Sequence, residues 1–214
     1  MNGDIEKKLE TFFSKFKTLR YKKGEAILRP EDPISGINFL REGFIRQYVI
    51  SKDGNELTIH IFRPNSLFPM MLVIADAESH YFFEAINSVR ILRAPVDKTL
   101  EFIKSDSELL FYLAHSFASG LNGIVERMEH LMFEDAYRRV ATVLLYLAKS
   151  YGEKEKKGIV IKLPLVHKDI AGWVNLTRET TSRQLEKLTK QNIIEHRSHV
   201  IIINKIKALE RLAL

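Results

Sequence analysis

The sequence predicts an α+β chain in three parts: short strands folded as an antiparallel roll, one long helix, and a basic module of short helices closed by a hairpin. Three observations carry this. Turn signals separate short β-like runs over residues 18–95. An apolar stripe at helical spacing runs from Leu110 to Leu131. Two short helical segments from Leu165 onward are followed by two β-branched runs within residues 191–203. The expected divisions are residues 1–100, 101–136 and 137–214.

Leu9, Phe12, Phe13 and Phe16 sit at helical spacing and predict an opening helix. The pattern then changes to strands punctuated by Lys23-Gly24, Glu42-Gly43, Asp53-Gly54 and Pro64-Asn65. Residues 43–50 and 57–62, joined by the Asp53-Gly54 turn, read as a hairpin. Strands this short and evenly spaced fit a small roll or barrel.

From about Asp97 the period returns to helical. Leu110, Leu113, Phe117, Leu121, Ile124, Met128 and Leu131 follow one another at intervals of 3, 4, 4, 3, 4 and 3 residues. A stripe held for about six turns fits a seam between two helices of a homodimer, and it also fits a helix buried in its own chain. Residues 133–151 read as a further helix, and residues 152–158 as a charged, mobile loop.

Residues 165–174 predict a first short helix with Ile170, Ala171 and Val174 on its apolar side. Asn175 stands where the turn needs a residue tolerant of left-handed backbone. Thr177 supplies a hydroxyl at the N-cap of the next helix. On that helix, at about 100° per residue, Arg178, Glu179, Ser182 and Arg183 share one arc, with Thr181, Leu185 and Leu188 opposite. Arg can fork onto guanine O6 and N7, and Glu accepts from cytosine N4. With the hairpin of residues 191–203, these helices make a winged helix-turn-helix. Thr177, Thr180, His167 and Lys168 complete the residues expected at double-stranded DNA.

Charge supports that partner. Residues 138–214 hold 16 Lys and Arg against 7 Asp and Glu, whereas residues 1–137 hold 17 against 20. A basic module joined to a mildly acidic one is what phosphate contact by one part requires. The absence of cysteine excludes disulfides, thiolate zinc sites and cysteine-ligated iron–sulfur clusters. No apolar run approaches the roughly 20 residues that cross a bilayer, and the polar N-terminus is unlike a signal peptide, so no membrane partner and a cytoplasmic location are expected. Of seven histidines only His115 and His130 share a helix, too far apart to chelate, so no metal site and no catalytic residue are expected.

Lys23-Gly-Glu-Ala-Ile-Leu28, Gly36-Ile-Asn-Phe-Leu-Arg-Glu-Gly43 and Lys52-Asp-Gly-Asn-Glu-Leu57 look like the strand turns of a cyclic-nucleotide-binding roll. Leu163-Pro-Leu165, Asp169-Ile-Ala171, Leu176-Thr-Arg-Glu-Thr180 and Ser182-Arg183 look like a helix-turn-helix signature. Over nearly its whole length the chain thus resembles the CRP/FNR superfamily of bacterial transcription regulators. The resemblance implies a non-enzymatic, DNA-binding homodimer on a near-palindromic site, with RNA polymerase as a further partner through the loop at residues 152–158. It assigns Arg183 and Arg178 to guanines and Glu179 to a cytosine. Half-sites like TGTGA and like TTGAT both remain open. Val166 departs from the Thr or Ser that commonly opens the first helix in the family.

The sensor part departs further from that pattern. Phe68-Pro69 and Ser79-His80 stand where cyclic-AMP-binding members carry Gly-Glu and Arg-Ser, and Ile124-Val125 replaces the Thr-Ser pair that reaches the purine. A buried phosphate without its Arg partner carries a heavy desolvation cost. Neither cyclic AMP nor an iron–sulfur cluster is therefore expected. A small apolar or aromatic effector is expected instead, near Phe68, Met70, Met71, Phe82, Phe83, Ile124, Val125 and Met128. A cupin-like metalloenzyme and a DNA-independent ligand sensor are the alternatives, and the basic winged helix weighs against both.

Overall fold

In a computed structural model describing residues 2–197 and 200–213, the chain separates into two units: residues 1–49 with 59–123, and residues 50–58 with 124–214. The first unit opens with α1 (Asn2–Phe13), whose apolar residues at every fourth position, Ile5, Leu9 and Phe13, are buried. Eight strands follow: β1 (Lys17–Tyr21), β2 (Ala26–Leu28), β3 (Ile37–Glu42), β4 (Ile45–Ile50), β5 (Glu56–Phe62), β6 (Leu67–Phe68), β7 (Phe82–Ala85) and β8 (Val89–Ala94). They form two four-stranded sheets ordered β1-β8-β3-β6 and β2-β7-β4-β5. The expected hairpin is β4–β5, turning at Gly54 with φ +80°. Gly43 is required by its position: φ is +86°, and a Cβ there would meet the Ser88 carbonyl oxygen at 2.3 Å.

Between the sheets, Leu40, Ile45, Phe68, Phe83, Ala85, Val89 and Ile91 form one core cluster. A second joins α1 to Ile37, Phe39, Met70 and Leu92. Met70 opens a short helix absent from the sequence expectations, α2 (Met70–Ile74). Of the residues expected near an effector, Phe68, Met70 and Phe83 are each about 1% exposed or less. Phe68 and Phe83 stack at 5.8 Å, and Phe62 lies 5.4 Å from Phe68 and 5.9 Å from Phe83. Of the other expected residues, Met71 is exposed, and Phe82 is half-buried and stacked on Tyr48 at 5.1 Å. Ile124, Val125 and Met128 are exposed in the second unit.

Two helices succeed the strands: α3 (Val96–Lys104) and the long α4 (Ser107–Phe133). Asp106 separates them. Its carboxylate accepts from the backbone N–H groups of Glu108 and Leu109 and from Lys8 Nζ at 2.6 Å, starting α4 anew. Leu113 was expected in the intersubunit stripe. It is instead 5% exposed in the core with Leu109, because its side of the helix faces the chain's own interior.

The second unit is built on α5 (Ala136–Tyr151), N-capped by Asp135, which accepts from the Tyr137 and Arg138 amides. The loop expected at residues 152–158 is a hairpin, β9 (Gly152–Glu155) with β10 (Gly158–Ile161). The strand character was hidden because β9 carries charges on both sides instead of an apolar face. Lys162 ties it down through Glu153 and Glu155. Next come α6 (His167–Val174), α7 (Arg178–Lys190), β11 (Ile194–Arg197), β12 (Val200–Ile203) and α8 (Ile206–Leu212). The strands make one sheet ordered β11-β12-β10-β9. The unanticipated α8 buries Leu209 and packs on α5. Among the described residues, no helix is long and apolar enough to cross a membrane.

Candidate nucleic-acid interface

The second unit brings the predicted DNA-facing residues together on α6, α7 and the β11–β12 wing. In α6, Ile170, Ala171, Gly172, Trp173 and Val174 are all buried, which fixes the helix firmly. Val166 offers no side-chain acceptor at its N-cap, but the Val166 amide donates to Asp169 Oδ2 at 2.7 Å. The helix ends at Asn175, φ +50°, and the Leu176 amide then donates to the Ala171 carbonyl. This left-handed residue turns the chain into α7.

Thr177 caps α7 as its sequence position predicts, accepting from the Thr180 amide at 3.1 Å. Thr181, Leu185 and Leu188 are buried, which leaves the opposite side of α7 outward. On that side Arg178 and Glu179 are exposed and make no hydrogen bond or ion pair among the described residues. Arg183 is also exposed, and its Nη2 donates to Thr180 Oγ1 at 3.2 Å. The hydroxyls of Thr177 and Thr180 lie 3.0 Å apart, so the two threonines brace the start of the helix and steady Arg183. At the far end, Tyr137 donates to Gln191 and lies beneath Lys187, 4.0 Å from its ammonium.

Two predicted contacts are engaged within the unit. Lys168 Nζ pairs with Glu56 at 2.8 Å, and Glu56 belongs to the hairpin residues 50–58 that cluster with this unit. Ser182 Oγ lies 2.7 Å from His167 Nδ1. His196, on β11, packs edge-on against the His167 ring with centroids 5.0 Å apart. Burial, and secondarily His167, holds the His196 pKa below its ordinary value. His196 thus turns inward onto α6, and His199 lies outside the described residues. Strand alternation was the available signal: His196 shares a side with the buried Ile194, whereas Arg197 is exposed and paired with Glu195 at 2.6 Å.

A second surface lies along α4. Leu110, Phe117, Leu121, Ile124, Val125, Met128 and Met132 are exposed, Leu121 by 63% and Met128 by 55%. At about 100° per residue they fall within an arc of about 100°. Leu131 is half-buried at its edge. Among the described residues, no cluster of three potential metal ligands occurs.

Comparison with known proteins gives a consistent result. Residues 138–212 match the model of the Crp-like helix-turn-helix domain, and residues 18–106 that of the cyclic nucleotide-binding domain. The chain is 30% identical to the transcriptional regulator SdrP of Thermus thermophilus over 198 residues, 92% of this chain and 94% of that protein. It is 27% identical to the global nitrogen regulator of a Nostoc species over 193 residues, 89% of this chain and 86% of that one. Among solved structures, a Thermus thermophilus transcriptional regulator superposes with a TM-score of 0.73 at 28% identity, covering 92% of this chain and 98% of that one.

Proposed function

The chain belongs to the CRP/FNR superfamily of transcription regulators, and on that premise we propose that it is a homodimer reading a near-palindromic DNA site with one α7 helix per half-site. The carrying observation is the exposed, unpaired Arg178–Glu179 pair beside Arg183, all on a helix whose other side is buried. Free Arg and Glu side chains on a rigid helix keep their donors and acceptors for base edges. The exposed apolar stripe of α4 supports the dimer, since it would be covered by the same stripe of a second copy. Selection of binding sites from random duplexes tests this reading. It predicts an inverted repeat with half-site centres about 10 base pairs apart. Recovery of no repeat, or of a single half-site, would refute it.

The signal is the second part of the proposal. A cyclic nucleotide does not fit the residues present. The Ser79 hydroxyl is engaged within its own turn with Tyr81, and Phe68 is buried against Phe62 and Phe83. An effector entering the roll has to displace part of the Phe62–Phe68–Phe83 stack, which favours an apolar or aromatic molecule. Native mass spectrometry of the purified protein should show a small apolar adduct. Micromolar cyclic AMP binding, with a gain in DNA affinity, would overturn this account. Contact with RNA polymerase is proposed for the charged β9–β10 hairpin, whose residues 153–157 are all exposed.

A further inference from the structure

The DNA-reading surface contains a hydroxyl whose hydrogen-bonding direction is set by a histidine. Ser182 follows Glu179 by three residues on the outward arc of α7, and its Oγ lies 2.7 Å from His167 Nδ1. A neutral imidazole can accept at Nδ1, which consumes the serine proton and leaves Ser182 only lone pairs to offer. An imidazolium can only donate there. Ser182 must then accept from His167, and its own O–H is released toward the solvent-facing side. We propose that His167 is a positioning residue whose protonation switches Ser182 from acceptor to donor at the DNA, making one base preference in each half-site dependent on pH.

His196 makes the switch a single-proton device. Its ring packs on His167 at 5.0 Å, and its Nε2 is buried without a hydrogen-bond partner among the described residues. A charge there would be poorly solvated, so His196 resists protonation. The surrounding charged groups are largely committed elsewhere. On α6, Lys168 pairs with Glu56, and Asp169 accepts from the Val166 amide. On β11, Glu195 pairs with Arg197. On α7, Arg183 is held by Thr180, while Arg178 and Glu179 point to the DNA side. No carboxylate bonds either ring among the described residues. Incoming phosphates are thus the anions available to favour the protonated form.

A donor at Ser182 favours bases presenting acceptors and no donor in the major groove, guanine and thymine; an acceptor favours the amino groups of cytosine and adenine. The inference rests on the DNA-reading role proposed above. Site selection with the full chain at pH 6.0 and pH 8.0, repeated for His167→Gln, tests it. In the unsubstituted protein, one symmetric position should move toward guanine or thymine at pH 6.0, by roughly three- to tenfold, the worth of one neutral hydrogen bond. Positions read by Arg178 and Glu179 should not change. In His167→Gln, whatever its overall affinity for the site, the base preference at that position should be the same at both pH values. Nitrogen-15 spectra of histidine-labelled protein without DNA should show His167 charging while His196 stays neutral. An unchanged base preference between the two pH values, or a shift persisting in His167→Gln, would overturn the inference. Absence of any repeat at either pH would instead overturn the DNA-reading role itself, and the inference with it.

Discussion

At the residue scale, the DNA-facing side of α7 separates readers from braces. Arg178, Glu179 and Arg183 are the proposed readers, and Thr177 and Thr180 are the braces. Arg183→Ala should therefore cost roughly 1–3 kcal/mol of binding and relax a single base position, measured by gel shift on base-substituted sites. Thr177→Ala should leave that pattern unchanged and lower thermal stability by about 1 kcal/mol through loss of the cap. His196 adds a pH term. Its folded pKa is lowered, by burial first and His167 second, so the unfolded chain takes up the proton earlier as pH falls. Its contribution to stability is complete above the ordinary histidine value of about 6.5 and declines below it. Denaturant titrations from pH 7.5 to 5.5 should show this decline, and His196→Gln should lessen it. The Thr177 cap, the left-handed Asn175 and the buried Thr181, Leu185 and Leu188 were legible in the sequence, because each follows from neighbours within one or two turns. The Ser182–His167 bond was not. It joins residues 15 positions apart on two helices, and only their crossing brings them together.

At the element scale, helical periodicity gave α4 its existence but not the ownership of each side. Leu110 and Leu113 are one turn apart, yet the first is exposed and the second buried in the chain's own core. Periodicity alone cannot make that distinction, since both sides are apolar. Two substitutions separate the roles. Leu121→Glu should convert the proposed dimer to a folded monomer in sedimentation, with little loss of thermal stability. Leu113→Ala should instead lower stability by about 2–5 kcal/mol, as a core truncation does. The β9–β10 hairpin was illegible for a different reason, since its strands lack the apolar alternation that marks a half-buried strand. Because it is paired into a sheet, excising it would damage the fold. Reversing Lys156 and Lys157 to Glu is the cleaner variant: transcription in vitro should fall while operator binding persists, and unchanged transcription would remove this surface from polymerase contact.

At the scale of the whole molecule, the charge split is the broadest feature, a basic C-terminal part against a mildly acidic remainder. Long-range attraction to phosphates is thereby concentrated in the part that carries α7 and the wing. The roll retains its strand turns, and its interior holds the stacked rings of Phe62, Phe68 and Phe83. Turn residues announce themselves locally, whereas the filling of an interior depends on which side chains meet across two sheets. The sequence therefore revealed the roll's outline better than its contents. The central claim is that two copies of α7 read the two halves of an inverted repeat. Hydroxyl-radical footprinting on a selected operator tests this most directly. Two symmetric protected patches should appear on one face of the duplex, with centres about 10 base pairs apart. A single protected patch, or uniform protection without symmetry, would contradict it.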